Sequence, residues 1–274
     1  MKILLTGGSG FLGKAVLTAL RVKNVSIYNL VRQSRNLENE ILWDFASPLP
    51  TLPSVDAVLH LAAEVAFSNE TSKVFVNNAV PALYLSIWCD NNNVPIYFSS
   101  TAAVHGVHQP WSSTSLLEPE NYYTQGKLAA ESIFSNLVGC GHVFFRLSGI
   151  YGVGGPYHLG INKAIDDALC GKPPVLFGAG NGLRNYINVN DAANWIADVV
   201  HERVHISQII YMAGKDFFSI RQWLQNIVDV LLPGQNVIEK NGNASSSDVI
   251  VIASPTKTPI CSFKEYLASI KGTI

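Results

Sequence analysis

The chain has 274 residues, 48% of them hydrophobic and 14% charged, enough to bury a large core as one α/β domain or as one with an appended lobe. With 19 basic and 20 acidic residues the formal net charge is -1 and no basic stripe is present, so neither nucleic acid nor an anionic membrane is expected as a partner. Cys89, Cys140, Cys170 and Cys261 lie far apart without a C-x-x-C, which fits a reducing compartment and speaks against disulfides and a metal site. There is no basic-then-apolar leader and no apolar run of about 18 residues, so a soluble cytoplasmic protein is expected.

In chain order, the apolar run Lys2–Thr6 leads straight into Gly7, Gly8, Gly10 and Gly13. Gly8, Gly10 and Gly13 satisfy G-x-G-x-x-G, while Gly7, Gly10 and Gly13 satisfy a spacing of three; either leaves bare backbone for a tight turn and close approach of a pyrophosphate. Leu12, Ala15, Val16, Ala19 and Leu20 then recur with helical period, so the glycines open a helix whose N-terminus favours an anion. Val25–Val31, Ala57–Leu61, Ile96–Ser99 and Val143–Leu147 read as buried strands. Asn77–Cys89, despite Pro81, and Tyr122–Leu137 read as helices. This alternation predicts an α/β fold with a doubly wound parallel Rossmann sheet.

After Gly152 the texture becomes rich in Gly and Pro around one helical run, Ile161–Leu169, and Asn241 to Pro259 is polar and irregular before a last helix at Ser262–Ile270. Val189–His201 and Gln208–Met212 read as a helix and a strand returning to the sheet. The expected organisation is a dinucleotide-binding Rossmann domain over 1–152 and 186–213, with a small discontinuous C-terminal substrate lobe over 153–185 and 214–274.

Tyr123 and Lys127 stand four residues apart on one helix face. A nearby ammonium lowers a phenol's pKa, so this pair can pass a proton to or from a hydroxyl or carbonyl near neutral pH. Ser99, Ser100 and Thr101 end a strand, and the carboxyl ends of strands are where ligands bind in a doubly wound sheet. After the second strand the chain reads Leu30-Val31-Arg32-Gln33-Ser34-Arg35, and the first acidic residue is Glu38. Nothing nearby in sequence repels a 2′-phosphate, and Arg32 and Arg35 can pair with one, so NADP is favoured over NAD as cofactor.

In these motifs the chain resembles the extended short-chain dehydrogenases/reductases, in particular their NAD(P)-dependent nucleotide-sugar epimerase/dehydratase branch. Thr6 to Gly13, including Phe11 and Leu12, resembles the cofactor loop, and His60-Leu61-Ala62-Ala63 the fourth-strand signature. Asn77 resembles the asparagine that steadies the following helix and the active site, and Asp44 and Phe45 the neighbours of adenine. The resemblance implies Tyr123 as general acid/base, and Lys127 as the residue that lowers its pKa and holds the ribose hydroxyls. Thr101 would hydrogen-bond the reacting oxygen. Arg184, in Gly178 to Asp191, would bind a nucleotide-sugar diphosphate, the alternative being a structural ion pair with an aspartate of the next helix; Asp191 itself reads as a structural residue at that helix's N-terminus.

Three positions depart from the family. Gly149 stands where many members carry a substrate-contacting asparagine, His105 replaces a tyrosine, and Gly126 replaces the usual serine. Ala102-Ala103 stands where the 4,6-dehydratases carry Asp-Glu, which makes dehydration the least favoured branch. The leading expectation is NADPH-dependent reduction of a keto group on a nucleotide-linked sugar or similar carbonyl compound. The alternatives are a nucleotide-sugar 4-epimerase with tightly bound NAD and a non-catalytic NADP-binding regulator. A homodimer is left open.

Overall fold

The computed structural model describes residues 1–65, 71–203, 207–242, 247–255 and 259–272. Its elements in chain order are β1 (Lys2–Thr6), α1 (Phe11–Val22), β2 (Ser26–Val31), β3 (Glu40–Leu42), β4 (Ala57–His60), α2 (Ser72–Asn92) and β5 (Ile96–Thr101). A 3-10 turn over Ala102–His105 is followed by α3 (Tyr122–Leu137), β6 (His142–Leu147), β7 (Ile150–Tyr151), α4 (Gly160–Leu169), β8 (Val175–Phe177), β9 (Leu183–Arg184) and β10 (Ile187–Asn188). Last come α5 (Val189–His201), β11 (Gln208–Met212), β12 (Phe218–Ser219), α6 (Ile220–Leu231), β13 (Ile238–Lys240) and α7 (Phe263–Lys271).

The chain forms two compact units: Met1–His108 with Leu116–Leu147 and Ala193–Tyr211, and Gln109–Ser115 with Ser148–Ala192 and Met212–Ile274. These boundaries fall at 147/148 and 192/193, whereas the glycine-rich texture placed them at 152 and 186, because β7 and β10 pair with each other.

The first unit is built on a seven-stranded sheet of order β11-β6-β5-β4-β1-β2-β3, with the pairs from β6 through β3 parallel. The chain starts at β1 and winds outward first through β2 and β3, then from β4 the other way. The carboxyl ends of β1 and β4 therefore part at a topological switch point. Strands buried on both faces need continuous apolar runs, and Ile3–Leu5 and Ala57–Leu59 are almost fully buried. Leu4, Val58, Phe98 and Phe144 pack with Leu85, Ala130 and Phe134 of the covering helices.

Helix α2 is longer than the expected Asn77–Cys89 and carries Pro81 inside it. Proline lacks the N–H that would bond the Asn77 carbonyl, and the apolar packing of Val74, Ala82, Leu85 and Cys89 carries the helix through. Helix α3 starts where expected because Asn121 and Thr124 form a reciprocal capping box. Gly126 lets α3 approach α2 closely: a Cβ there would lie 3.0 Å from that of Asn78 and 3.1 Å from the Phe75 carbonyl oxygen.

The second unit packs Tyr151, Ile165, Leu176, Trp223, Ile227, Phe263 and Leu267 into its own core. Helix α6 belongs to a stretch where the composition suggested no element, yet Ile220, Trp223, Leu224, Ile227, Val228 and Leu231 have helical spacing and Ser219 with Gln222 caps them. Within Asn241 to Pro259, residues 243–246 and 256–258 lie outside the described residues, and the rest adds isolated bridges from Val249 to Arg184 and from Val251 to Trp111. No helix among the described residues is long and apolar enough to cross a membrane.

Candidate active site

The turn after β1 is made at Gly7, whose φ is +76° and where a Cβ would lie 2.6 Å from the Ala62 nitrogen. A Cβ on Gly13 would lie 2.0 Å from the Gly7 carbonyl oxygen, so α1 can start this close to the turn only without a side chain there. Gly10 caps α1 with no side-chain bond, and the first helical bond runs from Lys14 N–H to the Gly10 carbonyl. The N–H groups of Phe11, Leu12 and Gly13 are thus left at an open, electropositive helix end, and this bare cradle fits a dinucleotide pyrophosphate.

A cavity of about 110 Å³ lies past the carboxyl ends of β2, β3 and β4, lined among others by Arg32, Asp44, Phe45, Ala62, Ala63 and Asn77. Phe45, at φ +67°, stacks on Trp43 at 4.4 Å, while Asp44 Oδ1 accepts from the Ala46 and Ser47 amides. Arg32 is exposed and forms no ion pair among the described residues. Arg35 is not part of the lining. The absence of a neighbouring acid, inferred from sequence order, does not hold in space. Glu40, paired beside Asn29 in β3, reaches back so that its carboxylate accepts from Ser34 Oγ at 2.6 Å and from the amides of Arg35 and Leu37 at 2.7 and 2.9 Å.

The asparagine that steadies the loop after β4 is Asn78 as well as Asn77. Asn78 is buried; its Oδ1 accepts from Glu64 N–H at 3.1 Å, and its Nδ2 donates to the carbonyls of Glu64 and Val74. Asn77 faces outward to the Glu64 carboxylate. Two adjacent asparagines differ only in which helix face they occupy, and only the packed helix distinguishes them. The loop is also tied to β1: Leu61 N–H bonds the Thr6 carbonyl, and Thr6 Oγ1 accepts from Ala62 N–H and shares a hydrogen bond with His60 Nδ1 at 2.6 Å. Burial and the charge of Lys127 hold His60 down to about 3, so its ring is neutral.

Thr101, Tyr123 and Lys127 all lie in the first unit. Thr101 Oγ1 accepts from Ala103 N–H at 3.2 Å, which leaves its own proton free to donate to a reacting oxygen. Lys127 is buried, donates from Nζ to the Ser99 carbonyl at 2.7 Å, and sits 4.5 Å from the centre of the Phe98 ring. Ser99 Oγ in turn points at the His60 carbonyl at 3.4 Å. Here the protein by itself departs from expectation. Burial pushes the Tyr123 phenol up to about 12 and Lys127 down to about 7, although Glu131 pulls the lysine upward. Desolvation sets both shifts, and the ammonium is directed at the Ser99 carbonyl.

Behind this pair runs a buried polar chain that sequence reading did not identify. Glu131, one turn after Lys127, accepts from Ser100 Oγ, from Arg146 Nε at 3.1 Å and from its second nitrogen at 2.6 Å. The remaining Arg146 nitrogen donates to Tyr211 OH at 2.6 Å. His105 must donate through Nδ1, since its partner there is the Leu116 carbonyl at 2.7 Å, so its Nε2 accepts from Tyr211 OH at 2.9 Å. The imidazole that replaces a tyrosine is thus an acceptor ending a chain of donors.

In the second unit, Arg184 donates from one terminal nitrogen to the Leu183 and Ser247 carbonyls, both at 2.7 Å, and also bonds the Tyr186 phenol. The ion pair with a following aspartate is not formed; Asp191 accepts instead from Cys261 N–H at 3.1 Å. At Gly149 a Cβ would lie 2.5 Å from the Tyr186 ring, so that ring fills the space a side chain at 149 would need.

Comparison with known proteins agrees with this architecture. The family model described as the NAD dependent epimerase/dehydratase family matches residues 3–214. A protein named as an uncharacterised UDP-glucose epimerase, YtcB, of Bacillus subtilis is 24% identical over 84% of this chain and 82% of its own. GDP-6-deoxy-D-talose 4-dehydrogenase of Aggregatibacter actinomycetemcomitans is 25% identical over 94% and 90%. The crystal structure of UDP-N-acetylglucosamine 4-epimerase from Bacillus cereus superposes with a TM-score of 0.86 at 23% identity, covering 100% of this chain and 96% of that one. With its parallel Rossmann sheet, its glycine cradle and a family match over most of its length, the chain belongs to the NAD-dependent epimerase/dehydratase family of enzymes.

Proposed function

We propose that the protein is a nucleotide-sugar 4-epimerase, which inverts a sugar carbinol through a transient keto-sugar with no net use of cofactor. The observation that carries this reading is Lys127 Nζ bonded to the Ser99 carbonyl at the end of β5, two residues before the free Thr101 proton, with Tyr123 one turn before Lys127 in α3 and Ala102 and Ala103 where a dehydratase would need acids. A nicotinamide cofactor held at the cradle of Gly7, Gly10 and Gly13 would supply the hydride chemistry, with oxidation of the carbinol carbon followed by re-reduction on the opposite face of the carbonyl. Tyr123 takes the hydroxyl proton as the carbonyl forms and gives it back as the carbonyl is reduced, so proton and hydride balance over the cycle. Lys127 stabilises the tyrosinate, and Thr101 donates a hydrogen bond to the same oxygen. Gly7, Gly10, Gly13, Arg32, Asp44, Phe45, Ala62, Ala63 and Asn77 hold the dinucleotide, and Arg184 holds the diphosphate of the substrate, its fork matching phosphate oxygens. The similar UDP-sugar epimerases support this reading.

A second reading, one-way reduction of a keto-sugar by NADPH, draws on Arg32, which stands exposed at the rim of the cavity, and on the similar GDP-sugar 4-dehydrogenase. One experiment separates the two. The purified protein is incubated with NAD or NADPH and a panel of UDP-, dTDP- and GDP-linked hexoses and their 4-keto forms, with absorbance and proton NMR followed together. Epimer formation at constant absorbance supports the proposal; stoichiometric NADPH loss supports the reductase; neither change with any substrate overturns both.

A further inference from the structure

We infer that Glu40 is a specificity-determining residue of the cofactor site: its carboxylate is an internal anion seated in the loop after β2, where it turns away a 2′-phosphate and leaves the unphosphorylated dinucleotide as preferred cofactor. The inference rests on the family's dinucleotide chemistry and is independent of which sugar is turned over.

The loop from Arg32 to Asn39 begins at the cavity rim with Arg32 and returns to the sheet at β3. Its donors converge on one point. Ser34 Oγ reaches Glu40 Oε2 at 2.6 Å, and the amides of Arg35 and Leu37 reach Oε1 at 2.7 and 2.9 Å. Between those two amides Asn36 adopts φ +57°, which bends the backbone so that both N–H groups face the same way. A hydroxyl and two amides converging around such a turn form the kind of concavity that binds phosphate oxygens. In this chain it is filled from within. Glu40 is held there from below, since β3 pairs with β2, Asn29 Nδ2 bonds the Glu38 carbonyl at 2.7 Å and Asn39 Nδ2 bonds the Ile27 carbonyl at 3.1 Å. The bonds from Ser34 and the two amides, with a smaller contribution from the charge of Arg35, hold the Glu40 carboxyl below its ordinary value. The hydroxyl and the two amides that make this loop look suited to a phosphate are therefore already occupied. A neutral ribose diol is compatible with a nearby carboxylate, whereas a 2′-phosphate brings a second anion against a fixed one.

The test is direct equilibrium binding of NAD and of NADP, each alone and without any sugar, to the full chain and to Glu40→Gln and Ser34→Ala. Wild type should bind NAD more tightly than NADP. Glu40→Gln, isosteric and still able to accept from both amides, should raise NADP affinity by about 10-fold or more with NAD affinity kept within about 2-fold. Ser34→Ala removes a donor but no charge, and should leave the ratio within about 2-fold. The inference is overturned if wild type prefers NADP, if Glu40→Gln leaves NADP affinity unchanged, or if it lowers both affinities in parallel, which would make Glu40 a strut of the loop only. Because no sugar is present, a failed epimerase assay leaves this result untouched.

Discussion

At the scale of single residues, burial sets the electrostatics of the candidate catalytic pair. Tyr123 is held near 12 and Lys127 near 7, so proton transfer near neutral pH depends on what enters the site beside them. Tyr123→Phe removes the proton carrier and keeps the ring, and turnover should fall by about 100-fold or more while dinucleotide binding, measured by fluorescence titration, changes little. Lys127 also marks the stability of the protein. In the unfolded chain it releases its proton near the ordinary lysine value and in the folded chain near 7, so between those values the unfolded state binds more protons. The penalty is fully present below about pH 7 and is lifted as pH rises above it, by at most about 1.4 kcal/mol per pH unit. Thermal unfolding from pH 7 to 9 should therefore show stability rising more with pH in wild type than in Lys127→Met; parallel curves would show that the buried ammonium is not desolvated as described.

At the scale of elements, the Glu131–Arg146 pair ties α3 to β6, and Tyr211 and His105 extend the tie to β11 and the turn after β5. Both charges are nearly inaccessible, at 3% and 4% exposure, so removing one leaves the other without a partner. Arg146→Met should cost about 3–5 kcal/mol in urea unfolding, and the double change with Glu131→Leu should recover most of it. The periodic signals of these elements were legible in the sequence. The tie was not, because its four side chains come from two strands, a turn and a helix far apart in the chain, and each looks ordinary where it stands.

At the scale of the whole molecule, the two compact units divide the candidate residues, with cradle and proton transfer in the first and Arg184 in the second. Arg184 is anchored by two backbone carbonyls and also bonds the Tyr186 phenol, so its cation is fixed in place. If the substrate is nucleotide-linked, Arg184→Ala should lower kcat/KM by about 1.5–3 kcal/mol and leave dinucleotide affinity unchanged. Wild-type kinetics in this variant would remove Arg184 from the substrate site and with it the main support for a diphosphate.

The sequence by itself determined the features written in contiguous residues. Strand, glycine turn and helix at the start, the Tyr123–Lys127 spacing and the alternation of apolar runs each follow from local periodicity and the steric freedom of glycine, and so could be read before any contact was known. Tertiary structure alone decided that Asn78 joins Asn77 in steadying the loop after β4, that Tyr186 fills the space beside Gly149, and that Glu40 lies among the amides of the Arg32 loop. It also decided the direction of the pKa shifts of Tyr123 and Lys127. These depend on which groups lose water and on partners brought together from distant positions, and desolvation is a property of the packed molecule that no sequence spacing encodes.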